Sequence, residues 1–189
     1  MKKSINIGII LVVIVVILAI MGISTYNNLV EKSEEVDKKY ADISAQLERR
    51  ANLIPNLVET VKGYASHEES VIEKVTASRE KLVDAKTPEE ASAANAELST
   101  SLNSLFALAE NYPDLKANTN FINLQDELAG TENRISIARK DYNEVVQNYN
   151  KEIKKFPNNL FAKMLGFDEK TYFEAKDNAN EVPNVSFKD

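Results

Sequence analysis

The side chains that most often carry out chemistry in helical proteins are scarce in this sequence. It contains one histidine, His67, and no cysteine, which excludes thiolate metal sites, a cysteine nucleophile and the paired Glu-x-x-His motifs of two-metal bundles. The five glycines are scattered singly, so no phosphate-binding loop is present. His67 stands in Ser66-His67-Glu68-Glu69, which fits an N-terminal capping box for a helix. We therefore predict no catalytic residue, no metal site and no cofactor.

One charged side chain falls on an apolar helix face. Arg50 lies between Leu47 and Ile54 at spacings of three and four residues. A buried guanidinium needs a carboxylate or several carbonyls, because an unpaired buried charge is strongly destabilising. The candidate partners are Glu110, Asp126, Glu127 and Glu132. We interpret Arg50 as part of a structural ion pair that sets helix register. Two alternatives stay open: an anion-binding site, and a surface arginine whose aliphatic stem covers the core.

The first predicted helix is long. No glycine or proline occurs between Ile23 and Ile54, and apolar residues recur at spacings of three, four or seven. This face comprises Leu29, Val36, Tyr40, Ile43, Leu47, Ile54, Leu57, Val61 and Tyr64. Pro55 interrupts the pattern without shifting its phase, which indicates a kink rather than a break.

The same periodicity predicts three further long or medium helices. The second runs to about Ala85, with Val71, Ile72, Val75 and Leu82 facing inward. The third begins at Thr87-Pro88-Glu89-Glu90, an N-cap followed by proline, and runs to about Glu110. A loop is predicted from Asn111 to Asn118. The apolar face of the fourth comprises Phe121, Leu124, Leu128, Ile135, Ala138, Tyr142, Val145, Tyr149 and Ile153. A short apolar helix follows over 159–165.

The N-terminal region predicts a membrane anchor. From Ile7 to Ile23 the chain carries no charge, and with Ile5 this stretch is long enough to cross a hydrocarbon core of about 30 Å. Representative anchor residues are Ile7, Ile9, Leu11, Val13, Ile17 and Ile23. The alternative, a cleaved signal peptide, normally has a shorter apolar region of about 7–15 residues.

The basic residues around the anchor bear on its orientation. Lys2 and Lys3 favour a cytoplasmic N-terminus and hence a domain outside the cytoplasm. A second cluster, Lys32, Lys38 and Lys39, follows the anchor and opposes this orientation. Because Lys2 and Lys3 lie closer to the apolar run than the second cluster does, we expect a single-pass protein of the cell membrane with its domain outside.

Together these patterns predict an all-α protein. Its N-terminal transmembrane helix continues into an antiparallel four-helix-bundle-like domain with a short extra C-terminal helix. The predicted segments are an anchor over 1–25, the bundle over 26–173 and a polar tail over 174–189. The formal net charge of −6, with only basic charges in the anchor region, argues against nucleic-acid binding.

Several blocks of sequence resemble the LemA family. They are Gln46–Ala65 (QLERRANLIPNLVETVKGYA), Ala109–Asn118 (AENYPDLKAN), Leu124–Leu128 (LQDEL) and Thr131–Ile135 (TENRI). The resemblance implies a bacterial single-pass membrane protein with a helical-bundle domain. It implies no established enzymatic activity, and no catalytic or metal site to transfer.

Two polar groups inside these blocks are candidate structural or partner-binding residues. The first group is Asn52, Pro55 and Asn56; the second is Glu110, Asn111, Tyr112, Pro113 and Asn118. We expect the two groups to meet, so that polar side chains satisfy the carbonyl freed by Pro55 and the ends of the third and fourth helices. The alternative is a partner-binding surface.

The sequence favours a non-enzymatic, membrane-anchored scaffold or protein-interaction module of the bacterial envelope. Its expected partners are membrane lipid, through the N-terminal helix, and other membrane or envelope proteins; self-association is a further option. One alternative is a sensor that binds a small ligand within the bundle. A third hypothesis, an enzyme, would have to use carboxylates, lysine, arginine and tyrosine alone.

Overall fold

The computed structural model of the protein describes residues 2–174, with side chains described from Gly8 onward. Within this range it contains six helices and no strand. The helices are α1 (Lys2–Lys62), α2 (Glu69–Asp84), α3 (Pro88–Ala109), α4 (Pro113–Lys116), α5 (Thr119–Lys154) and α6 (Asn158–Leu165). The all-α prediction is confirmed.

The chain packs as two compact units. The first unit comprises residues 2–39 and 142–170, and the second comprises residues 40–141 and 171–174. Helices α1 and α5 each contribute one segment to each unit. The predicted segments 1–25, 26–173 and 174–189 follow hydropathy along the chain, whereas the two units follow packing. The tail over 175–189 and the side chain of Ile7 lie outside the described residues.

The core of the first unit is formed by α1, α5 and α6. Its buried residues are Leu29, Val36, Tyr142, Val146, Tyr149, Ile153 and Ala162. The prediction that Val145 faces this core was wrong: Val146 is fully buried, while Val145 is only half-buried. Both residues lie between Tyr142 and Tyr149 at spacings of three and four, so periodicity alone could not separate them.

The core of the second unit is formed by the later part of α1 with α2, α3 and the early part of α5. Its buried residues include Ile43, Leu47, Ile54, Leu57, Ile72, Leu82, Leu98, Leu102, Leu105, Leu115, Phe121, Leu128, Ile135 and Phe173. Helix α1 continues through Pro55 without a break. Thr87 caps α3 by accepting a hydrogen bond from the backbone N–H of Glu90 at 3.2 Å, with Pro88 at the first helical position.

Three further local predictions were wrong, and these three concern helix ends. Tyr64 is exposed, because α1 ends two residues earlier, at Lys62. Ser66 does not cap α2; Glu68 occupies the N-cap position and makes no side-chain cap hydrogen bond. The loop predicted after Asn111 contains the single helical turn α4. Helix ends depend on tertiary packing as well as on local capping residues, which limits what a motif can predict there.

The apolar N-terminal part of α1 is exposed along its described length. Its 18-residue apolar window has a mean hydropathy of 2.9, and none of that window is buried in the structure. The anchor residues Ile9, Leu11, Val13, Ile17 and Ile23 are all exposed. Among the described residues, one helix, α1, is therefore long and apolar enough to cross a membrane.

Candidate functional site

Arg50 forms the most deeply buried charged group in the described part of the second unit. Only 4% of the residue is exposed. Its Nη1 donates to Oδ1 of Asn95 on α3 and to Oε2 of Glu132 on α5, both at 2.5 Å. One guanidinium on α1 therefore joins three helices. Burial lowers the pKa of Arg50, and the carboxylate of Glu132 opposes that shift.

The Glu132 carboxylate and Nε of Arg50 have different surroundings. Glu132 is half-exposed, so water can hydrate it on the side away from Arg50. Nε of Arg50 and Oε1 of Gln46, one helical turn apart on α1, are buried and have no hydrogen-bond partner among the described residues. The cluster therefore joins a buried cation to a carboxylate that keeps contact with solvent.

The other predicted partners of Arg50 are engaged elsewhere or lie on the surface. Glu110 pairs with Lys116, and Glu127 pairs with Arg49 at 2.8 Å. Asp126 is exposed. Asn95, which no sequence argument singled out, supplies the second acceptor for Arg50.

A second arginine supplies a hydrogen bond that the backbone of α1 lacks. Proline has no N–H, so Pro55 cannot bond the carbonyl four residues earlier, that of Ala51. Nε of Arg79, on α2, donates to this carbonyl at 3.0 Å. The hydrogen bond that Pro55 removes from the helix is thus replaced by one from the neighbouring helix.

Arg79 also lines a cleft on the second unit. The cleft has a volume of about 380 Å³ and lies between the later part of α1, α2 and the start of α3. Its lining includes Tyr40, Glu48, Asn52 and Arg79 together with apolar residues. Within residues 8–174 no ion pair engages Arg79. The cleft therefore presents a cationic group with an exposed carboxylate nearby.

A third polar group joins the two connections at one end of the second unit, which we call the connector end (residues 63–68 and 110–118). The Tyr112 hydroxyl donates to Oε1 of Glu68 at 2.9 Å, and this bond raises the pKa of Tyr112. Nδ2 of Asn118 donates to the hydroxyl of Tyr64 at 2.9 Å. Oδ1 of Asn118 accepts from the backbone N–H of Phe121 at 3.1 Å, so Asn118 caps α5.

The two polar groups that the sequence predicted to meet do not share a hydrogen bond among the described residues. Tyr112 and Asn118 bond to Glu68 and Tyr64, in the connection between α1 and α2. Asn52, Pro55 and Asn56 are exposed on α1, and Asn111 and Pro113 are exposed at the connector end. The prediction that the second group satisfies the carbonyl freed by Pro55 was wrong, because Arg79 does so.

The Arg50 cluster generates a stability prediction with a matched control in the next residue. Arg50→Met should lower the free energy of unfolding by about 1–3 kcal/mol, because the buried amide of Asn95 loses its donor. Arg49→Met should cost less than about 1 kcal/mol, because the Arg49–Glu127 pair is half-exposed on both sides. Thermal and denaturant unfolding of the full chain in detergent measures both. Equal midpoints for the two variants would contradict the structural role of Arg50.

The Pro55–Ala51–Arg79 arrangement predicts that substitutions of Pro55 and Arg79 have coupled effects on the free energy of unfolding, although the two side chains need not be in contact. Arg79→Met should destabilise the wild-type chain, because the Ala51 carbonyl loses its donor. In a Pro55→Ala background the restored N–H at position 55 bonds that carbonyl, so the same change should cost about 1 kcal/mol less. A double-mutant cycle by denaturant unfolding measures the coupling. Arg134→Met, on an exposed arginine of α5, should be additive with Pro55→Ala; additivity for Arg79 as well would reject the compensation.

Comparisons with known proteins identify a family and several relatives of this chain. The LemA family model matches residues 39–187. The chain is 27% identical to "Magnetosome protein MamQ 2" of Paramagnetospirillum magneticum, with 85% of this chain and 68% of that protein covered. It is also 27% identical to "Protein LemA" of Metamycoplasma hominis, with 80% and 69% covered. With its exposed apolar N-terminal helix it is a membrane-associated helical protein, and because the family model spans more than half of its length, the chain belongs to the LemA family.

Proposed function

We propose that this protein is a non-enzymatic, membrane-anchored scaffold or protein-interaction module of the bacterial envelope. The observation that carries the proposal is the dual use of α1. Its first part is apolar and exposed, as a lipid-facing helix is, and its later part supplies buried residues such as Ile43, Ile54 and Leu57 to the second unit. One uninterrupted helix thus serves as anchor and as core.

The proposed topology is a single pass with the helical domain outside the cytoplasm. Lys2 and Lys3 precede the apolar run, and basic residues next to a span are retained on the cytoplasmic side. The chain has no cysteine, so single cysteines can report on either side of the membrane.

The connector end is the surface that we propose for partner binding. Its two connections are fixed to each other by the Tyr112–Glu68 and Asn118–Tyr64 hydrogen bonds, while Tyr64, Asn111 and Pro113 stay exposed. A surface that is already ordered loses little conformational entropy on binding. An exposed tyrosine on such a surface is typical of protein interfaces.

The cleft beside Arg79 favours a second candidate function, the binding of a small anionic ligand. Its volume of about 380 Å³ lies within the range of small-molecule sites. Nε of Arg79 is held by the Ala51 carbonyl, which fixes the direction of the guanidinium. A planar guanidinium fixed in this way matches carboxylate or phosphate groups.

The proposed topology predicts a difference between two single-cysteine variants. Asn103→Cys, at an exposed position of α3, should react with a membrane-impermeant maleimide in intact cells or spheroplasts. Ser4→Cys, before the apolar run, should react only after lysis. Mass shifts on gels of the labelled chain measure both. The reverse labelling pattern would overturn the outward orientation, and labelling of both before lysis would overturn the membrane span.

The scaffold function predicts position-specific crosslinks. A photoreactive amino acid at Asn111 should crosslink the full chain to a defined partner in intact membranes, whereas the same group at the exposed Asn103 should not. Immunoblots and mass spectrometry of purified adducts measure the yield. Equal crosslink yields from both positions would remove the main support for the scaffold. A yield no higher than that from a chain reduced to residues 1–25 would do the same.

The same experiment separates the two candidate functions. The double variant Pro55→Ala/Arg79→Met removes the positive charge of Arg79 from the cleft. The Ala51 carbonyl keeps a hydrogen-bond donor, the restored backbone N–H at position 55. A scaffold that binds through the connector end should keep its Asn111 crosslink in this variant. Loss of that crosslink would favour a function that depends on the cleft.

A further inference from the structure

Helix α6 carries an apolar face that the rest of the described chain leaves largely exposed; on this face only Phe161 is half-buried, beside Gly22 of α1. At 100° per residue, Leu160, Phe161, Met164 and Leu165 fall within an arc of about 140°. Leu160 is 62% exposed and Met164 is 72% exposed, and Phe156, just before the helix, is 81% exposed. Apolar residues exposed together in this way mark an interaction surface.

The opposite side of α6 is fixed within the first unit. Ala162 is buried, and its carbonyl accepts the backbone N–H of Phe167 at 3.0 Å after the left-handed Gly166 (φ 76°), which terminates the helix. The segment after α6 is held by α5, since the Tyr149 hydroxyl donates to the carbonyl of Asp168 at 3.0 Å. The exposed face is therefore presented by an anchored helix.

Helix α6 is attached to α1 at the end of the apolar run. The hydroxyl of Thr25 bonds to Oδ1 of Asn158 at 3.3 Å, at the start of α6. The ring of Tyr26 packs edge-on against that of Phe167, with 5.8 Å between centroids. Because the apolar run ends at Ile23 and polar residues follow from Ser24, these contacts lie where a membrane-spanning helix leaves the hydrocarbon core.

A glycine permits this close approach. A Cβ added at Gly22 would lie 3.2 Å from Cε1 of Phe161, which is tighter than normal packing. The two helices border an apolar groove of about 580 Å³, lined on the α1 side by anchor residues from Val15 to Tyr26 and on the α6 side by Phe161, Met164 and Leu165. The uncovered face of α6 is thus continuous with the surface of the anchor itself.

We propose that the apolar face of α6 inserts at the boundary between the head groups and the acyl chains of the bilayer that holds the anchor. The chain then contacts lipid through two helices, a spanning one and an interfacial one. This inference rests on the proposed membrane anchor and adds a second lipid contact to it. Short amphipathic helices bury their apolar face by about 5–10 Å at such a boundary.

Three features of the site favour lipid over a protein partner. The floor of the groove is made by the anchor, so any bilayer around the anchor reaches the groove as well. Lys163 is exposed beside the apolar arc and has no ion pair among residues 8–174, which suits a lysine that extends toward lipid head groups. Tyr26 lies at the rim of the groove, and tyrosine is enriched at the interface between membrane and water.

The absence of tryptophan from the sequence allows a direct test with single tryptophan probes. The full chain is reconstituted in vesicles of phosphatidylcholine and phosphatidylglycerol whose acyl chains are brominated either near the head group or near the terminal methyl. Leu160→Trp should lose fluorescence mainly to the shallow quencher, with a blue-shifted emission. Val13→Trp, in the anchor, should lose fluorescence mainly to the deep quencher. Ile137→Trp, which replaces a residue of the second unit that is 64% exposed, should respond to neither.

The control probes separate failure of this inference from failure of the anchor. If Val13→Trp is quenched and Leu160→Trp is not, the interfacial role of α6 is overturned while the anchor stands; this is the result expected if a second copy of the chain covers the face. If neither probe is quenched, the anchor itself is wrong. Equal quenching of Leu160→Trp and Ile137→Trp would show non-specific contact with the bilayer and would also overturn the proposal.

Discussion

The need to pair a buried guanidinium constrains how the helices of the second unit pack against one another. Apolar contacts between helices have no direction, so burial alone permits small rotations and shifts of one helix against another. The hydrogen bonds of Arg50 to Asn95 and Glu132 have direction, and they come from one side chain. A shift of α3 or α5 that broke them would leave a desolvated charge without a partner. The cluster thereby couples the register of three helices, which the exposed Arg49–Glu127 pair beside it cannot do.

Much of the fold was predictable because the buried face of a helix is formed by apolar residues that lie only a few positions apart in the sequence. The faces of α1 and α5 were found from residues three, four and seven apart, and Thr87 was recognised because a capping motif acts locally. The errors arose where packing chooses between equivalent local options. Val145 and Val146 fit the same face, and only the neighbouring helix determines which is buried. The start of α2 at Glu69 and the helical turn α4 likewise depend on the contacts between Tyr112, Asn118 and the α1–α2 connection.

The candidate site was predictable only in part, and the physical reason why a residue was found or missed differs from residue to residue. Arg50 was found because a charge on an apolar face is visible in one dimension, and Glu132 was one of four proposed partners. Asn95 was missed because an amide on an alanine-rich helix carries no such signal. Arg79 could have been found: it lies between Val75 and Leu82 at spacings of four and three, the criterion that singled out Arg50. What the sequence could not supply is the register of α2 against α1, which decides that Arg79, rather than Asn111 or Tyr112, reaches the Ala51 carbonyl.

Pro55 changes how the stability of α1 is distributed. An alanine there would supply its own N–H to the Ala51 carbonyl, and the helix would be complete without any neighbour. With proline, that carbonyl is satisfied only when α2 is packed against α1 and Arg79 is in place. A local hydrogen bond is thus exchanged for a tertiary one, so the last two turns of α1 depend on the docking of α2. The same exchange places a fixed guanidinium at the wall of the 380 Å³ cleft, where a helix with alanine at position 55 would offer that arginine no free backbone carbonyl. The proline therefore links the backbone hydrogen bonding of α1, the packing of α2 and the charge presented in the cleft.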